Sequence, residues 1–162
     1  MTPEYDKAIA HYHKNLKIVP VPLISWGIFY DYNGKIQLFN SIQKSWKKKE
    51  NFHEIVNKSK KTIIITNTNL EIVFASKNIT EMNGYQSFEI MGRLPKIFQG
   101  ELTNTETTNK IRIAIKNKFP FKEILLNYKK DGSTYRCEIE AYPKFNKKGE
   151  FVNYIAIEKI AS

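Results

Sequence analysis

Two kinds of apolar spacing divide the chain near Lys61. Before that point apolar residues recur at helical intervals: Tyr5, Ile9, Tyr12 and Leu16 first, then Ile36, Phe39, Ile42 and Trp46. Phe52, Ile55 and Val56 predict a short third helix over Asn51 to Asn57. Pro20 and Pro22 bar a helix interior over 18–30, and Asn33-Gly34 predicts a turn. After Lys61 the texture changes. Thr62 to Thr66 is β-branched throughout and predicts a buried strand; after an Asn67-Thr68-Asn69 turn, Leu70 to Phe74 predicts its hairpin partner. Short helices follow over 76–83 and 86–91, broken by Gly84 and Gly92. A longer helix is predicted over 104–118, capped by Asn104 or Thr105, with its acid early and its lysines late. Three strands close the chain, over 121–128, 133–145 and 150–160, with turns at 129–132 and 146–149. The order is α+β, with helices segregated to one face of an antiparallel sheet.

Composition narrows the classes. The 162 residues carry 41% hydrophobic and 13% aromatic side chains, enough for a core and against a wholly disordered chain. The formal charge of +10 hints at nucleic acid. Yet it divides evenly, +5 over residues 1–60 and +5 over 61–162. It also rests on 23 lysines and only three arginines, Arg93, Arg112 and Arg136, the residue type that base recognition leans on. A solvated lysine-rich surface is the better reading, and nucleic acid is not the expected partner. The single cysteine, Cys137, excludes an internal disulfide and a cysteine-cluster zinc site, and a buried inert thiol is its plain reading. His11, His13 and His53 have no spacing that makes a metal site. No secretory leader and no membrane-length apolar run is visible, so a cytoplasmic protein is expected. No nucleophile triad or Gly-rich phosphate loop appears, so an enzyme is not expected.

Three stretches carry a family resemblance. They are Gly84-Tyr85 followed by Glu89-Ile-Met-Gly92-Arg93, then Gly92 to Gly100, then Leu125 to Gly132 with Tyr154 to Ile157. Together they resemble a PAS domain over residues 61–160, and its LOV photosensor branch in particular, with residues 1–60 as a flanking segment. The resemblance implies a PAS fold: a five-stranded antiparallel sheet with helices on one face, a pocket between them, and an N-terminal helical extension. It also implies a site. The branch holds flavin mononucleotide and forms a photo-adduct through a loop cysteine. That slot is Pro95 here, which has no thiol, and the neighbouring asparagine is Leu94. The two phosphate-binding arginines fall on Lys96 and Arg112, and the loop glutamine is Gln99. The first sheet asparagine is Asn127, the second is replaced by Cys137, and the last-strand glutamine is replaced by Glu158.

These six candidates also have plainer readings. Lys96 and Gln99 suit a solvent-facing loop, and Arg112 suits an exposed ion pair on a helix. Asn127 needs a partner if buried, either backbone or ligand. Glu158 shares a strand face with Tyr154 and Ala156, which makes it either a buried acid or an edge residue in water. An ionised carboxylate only accepts hydrogen bonds, so it would suit a flavin carbonyl only when protonated. The expected function is a PAS sensory or interaction module in bacterial-type signal transduction, without adduct chemistry. No effector domain follows the last strand, so its output is expected through a signalling protein in trans or a homodimer, with a small molecule as a possible ligand. The alternative is a flavin-binding redox or light sensor. A lysine-rich nucleic-acid binder is the remaining reading.

Overall fold

The computed structural model describes residues 33–162. The helix expected over 4–17 and the extended stretch over 18–30 lie outside them. Lys35–Ser162 forms one compact unit. Helix α1 spans Asn33–Ile42, and a 3-10 turn, Gln43–Ser45, prolongs it. Asn33-Gly34 therefore opens a helix instead of making a free-standing turn, and both residue types are favoured at helix starts. The third expected helix is a π-helix, His53–Lys58, with Ser59 N donating to Glu54 O at 2.9 Å.

Strand β1 is Thr62–Thr66 and β2 is Ile72–Ala75. Short helices α2, Asn78–Asn83, and α3, Ser87–Ile90, follow. Gly84 ends α2 at φ 81, a left-handed conformation that glycine adopts at no steric cost. A 3-10 turn covers Pro95–Phe98, and α4 spans Thr105–Lys116. The Asn104 side chain caps α4 by accepting from Thr107 N at 2.8 Å. Strands β3, Phe121–Tyr128, β4, Thr134–Phe145, and β5, Phe151–Ile160, match the three expected at the C-terminal end to within a residue. The sheet has five antiparallel strands in the order β2-β1-β5-β4-β3. Its chain-terminal strands, β1 and β5, thus lie side by side at the centre.

Alternation along β1 explains why all five of its residues are buried. Ile64 points into an inner layer with Ile72, Ile79, Met82, Ile90, Phe98, Tyr135 and Cys137, beneath α2, α3 and the 95–98 turn. Ile63 and Ile65 point the other way, into an outer layer with Phe39, Trp46, Phe52, Val56, Phe74 and Ile155. The outer layer is aromatic. The Phe39 ring lies 5.2 Å from Phe52, 5.6 Å from Phe74 and 6.3 Å from Trp46, centroid to centroid. Helices α2, α3 and α4 cover one face, as expected, and α1 with the π-helix seals the back of the central strands.

Candidate functional site

A cavity of about 400 Å³ lies between α4, the 94–99 loop and the inner face of the sheet. That volume is in the range of small-molecule sites. The helix side explains itself from sequence. Thr108, Ile111, Arg112 and Ile115 recur at helical spacing and line the cavity, yet no residue of α4 is buried by protein. The apolar stripe of α4 faces open space where a packed core would normally lie. On the sheet side, period-two alternation brings Ile64 and Thr66 of β1, Leu125 and Asn127 of β3, Ile139 and Ala141 of β4, and Tyr154, Ala156 and Glu158 of β5 to the same face.

The loop that roofs the cavity is pinned at both ends. Ile72 N donates to Arg93 O at 2.8 Å, and Gly92 N donates to Ile72 O at 2.8 Å, so the loop's start is tied to β2. At its end Thr103 Oγ1 donates to Leu126 O at 2.8 Å, and Leu102 N donates to the Tyr128 hydroxyl at 3.0 Å. The Tyr128 ring lies directly over Gly100; a Cβ there would sit 2.6 Å from Cε2. Between these ties, Leu94 through Lys96 and Gln99 line the cavity, and Leu94 remains 50% exposed.

Five of the six sequence candidates meet in this cavity: Lys96, Gln99, Arg112, Asn127 and Glu158. Cys137 does not line it. It is fully buried behind the wall, with its Sγ donating to Glu158 Oε2 at 3.5 Å. The plainer reading of Glu158 as an edge residue falls, because it is 6% exposed and stands on a central strand. Burial pushes its carboxyl up to about 7, while the Cys137 hydrogen bond pulls the other way. The Cys137 thiol is itself pushed well up, by burial first and then by the Glu158 charge, so it stays protonated. Arg112 forms none of the ion pairs found among the described residues, and neither does Lys96.

Asn127 is 3% exposed, and its Oδ1 has no hydrogen-bond partner among the described residues. One other described side-chain atom shares that condition, Thr66 Oγ1. Both residues line the same cavity. Sequence reasoning missed Thr66. The signal was available in its alternation with Thr62 and Ile64, but a threonine in a β-branched run reads as a strand former. Among the described residues no cluster of metal-ligating side chains occurs, and no helix is long and apolar enough to cross a membrane.

Short helices over one face of a five-stranded antiparallel sheet, enclosing a ligand-sized cavity, define a sensor-type α+β domain. The PAS domain family model matches residues 60–159, and the chain belongs to that family. Its relatives place it near the LOV branch. It is 39% identical over 88 residues to Protein TWIN LOV 1 of Arabidopsis thaliana, covering 54% of this chain and 22% of that protein. It is 30% identical over 97 residues to a blue-light-activated histidine kinase of Brucella canis, covering 58% and 20%. The dark structure of the blue-light photoreceptor Aureochrome1 LOV superposes with a TM-score of 0.63 at 28% identity, covering 72% of this chain and 86% of that one. The chain spans about a fifth of the length of these two curated relatives. It is a PAS/LOV-like sensor module of signal transduction.

Proposed function

We propose that this domain senses a small molecule held in the cavity between α4 and the sheet, and passes the signal to a partner protein in trans. The observation that carries this reading is the pair of orphaned polar atoms, Thr66 Oγ1 and Asn127 Oδ1, on the wall of one cavity. Native interiors leave few such atoms, and each costs about 1–3 kcal/mol unless something pairs with it. A ligand in the cavity is the natural partner.

The donor set favours a flat heteroaromatic molecule with an anionic tail, and flavin mononucleotide fits that description. Lys96 and Arg112 would hold the phosphate at the rim, since neither pairs with a carboxylate among the described residues. Ile111, Ile115 and Leu125 offer apolar walls to the ring. Asn127, Gln99 and Glu158 would meet its polar edge, with Glu158 donating in its protonated form. Bound flavin would supply light absorption and one- or two-electron redox chemistry. With Pro95 on the cavity wall, the domain would use no cysteinyl adduct. The family setting supports a protein partner: the blue-light-activated histidine kinase is 30% identical to this domain over 97 residues, a fifth of its own length.

The test is a calorimetric titration of the purified chain with flavin mononucleotide and with riboflavin, which lacks the phosphate. Saturable binding of the nucleotide is expected, with riboflavin weaker by about tenfold or more. In Lys96→Ala/Arg112→Ala the two ligands should bind alike. Absence of binding by either compound would overturn the flavin reading.

A further inference from the structure

The cavity and the outer aromatic layer lie on opposite faces of the sheet, yet a short chain of hydrogen bonds joins them. Thr66 lines the cavity with its side chain. Its carbonyl accepts from Asn153 Nδ2 at 3.0 Å. The other end of the same amide, Asn153 Oδ1, accepts from Trp46 Nε1 at 2.8 Å. Trp46 is 1% exposed and belongs to the segment that follows α1.

That segment is fastened to the far end of the sheet at several points. Lys144, the cross-strand neighbour of Asn153, sets its ammonium 5.1 Å from the Trp46 ring centroid and pairs with the Glu50 carboxylate. Lys47 N donates to Phe145 O at 2.8 Å, and Trp46 bridges to Asn146 in antiparallel fashion. At the other end of the path, Thr66 sits where the β1–β2 register slips, between Ile65 and Thr66. The extra residue at that slip is Val73 on β2, while Thr66 itself pairs with Ile72 and Tyr154 and closes β1, so Thr66 links the cavity wall to both neighbouring strands at the strand's end.

We propose that Thr66, Asn153 and Trp46 form a coupling path through the sheet, by which occupancy of the cavity alters the seating of the flanking segment 43–50. It rests on the ligand reading given above and adds the route of its output. A ligand that pairs with Thr66 Oγ1 pulls on a residue whose carbonyl is held by Asn153. Asn153 has both ends of its amide engaged, so it cannot follow Thr66 without moving or releasing the Trp46 indole. Occupied and empty cavities then favour different seatings of Trp46, and by linkage the seating changes ligand affinity by the same factor. Asn153 is a positioning residue: it touches no ligand and faces the outer layer.

The experiment follows the indole N–H resonance of Trp46 in the full-length 15N-labelled chain, with Trp26→Phe to leave a single indole. Flavin mononucleotide is the probe, and its occupancy is measured separately by calorimetry. The Trp46 resonance should move in proportion to occupancy. In Asn153→Asp, which keeps the acceptor for Trp46 but loses the donor to Thr66, the movement should vanish, and nucleotide affinity should change by about fivefold. A resonance unmoved at saturation, or moving equally in Asn153→Asp, overturns the path. If the nucleotide does not bind, the flavin reading fails and the path is read without it. Ala141→Leu or the smaller Ala156→Val fills the cavity from its own wall. Either should shift the Trp46 resonance, and the shift should vanish when Asn153→Asp is added. No shift in these variants overturns the path by itself.

Discussion

Cys137 Sγ donates to Glu158 Oε2 across 3.5 Å, so among the described residues the buried carboxyl of β5 takes its one side-chain hydrogen bond from a thiol on β4. A thiol is a weak donor, and it offsets little of the cost of burying a carboxylate. Glu158 therefore stands at about 7 in the folded chain, raised by burial from an ordinary 4.5.

This predicts stability that falls as pH rises from about 4.5 to about 7. Between the two values the folded state holds a proton that the unfolded state has released. The contribution is full below the unfolded value and is lost as pH climbs through the folded one. The gap corresponds to on the order of 3 kcal/mol, at about 1.4 kcal/mol per pH unit. The carboxylates whose values are lowered, Glu89, Glu106, Asp131, Glu138 and Glu140, act at more acid pH and leave this window clear. Urea unfolding at both ends of the window measures the effect. Glu158→Gln should flatten the profile, and a wild-type profile that is already flat would contradict the burial argument.

The outer layer predicts a second result. Phe39 is fully buried and touches Phe52, Phe74 and Trp46, which come from the N-cap of the π-helix, β2 and the segment after α1. Phe39→Ala should destabilise the fold by about 3–5 kcal/mol. Because Ile63 and Ile65 of the central strand share that layer, the whole sheet should unfold with it in one transition. Circular dichroism and tyrosine fluorescence followed along one denaturant series should give coincident curves. A separate early transition would show that α1 is an independent appendage.

Gly100 supplies a third. Its backbone meets the Tyr128 ring so closely that an added Cβ would lie 2.6 Å from Cε2 and 2.8 Å from Cδ2. The ring cannot retreat freely, because its hydroxyl accepts from Leu102 N. Gly100→Ala should cost about 1–3 kcal/mol. Adding Tyr128→Ala to Gly100→Ala should change stability by less than Tyr128→Ala does alone in the wild-type chain. Additive losses in that double-mutant cycle, read from thermal midpoints, would refute the contact.

Strand composition and the flanking turns made β3, β4 and β5 legible almost to the residue; β3 alternates in burial, whereas β5 is covered on both faces at Tyr154 and Ile155. The β1–β2 hairpin was legible as a hairpin, but its second strand begins at Ile72 and not at Leu70. Leu70 instead takes φ 65 in the turn, where Asn67 Oδ1 accepts from Asn69 N and Glu71 N. An Asx turn of that kind overrides the strand preference of the apolar residue inside it. The cavity was reached by resemblance and not by pattern. Lys96, Gln99, Arg112, Asn127 and Glu158 sit on four separate elements, and no local spacing announces that they converge. Cys137 shows the limit of position-by-position transfer: a short side chain in a long side chain's place withdraws from the cavity and bonds to a neighbour. Asn153 was invisible for the same reason as Thr66. Its role depends on which carbonyl and which indole lie across the sheet, and only the register decides that.

Pro95 offers the last prediction. It opens the 3-10 turn, and Leu94 before it is extended at φ −78 and ψ 145, as a residue preceding proline must be. Neither conformation requires proline, so a cysteine at this position is sterically admissible, and the cavity-lining place of residue 95 would carry its thiol toward the ligand space. If the cavity binds flavin mononucleotide, Pro95→Cys should gain a reversible, light-dependent loss of visible absorbance that the wild-type chain lacks. Illumination of both proteins at matched flavin occupancy, with recovery followed in the dark, makes the comparison. Flavin bound to Pro95→Cys without any such bleaching would mean that the thiol does not reach the ring. Pro95 would then mark a loop that has moved away from the geometry its LOV relatives use, and not merely a missing sulfur atom.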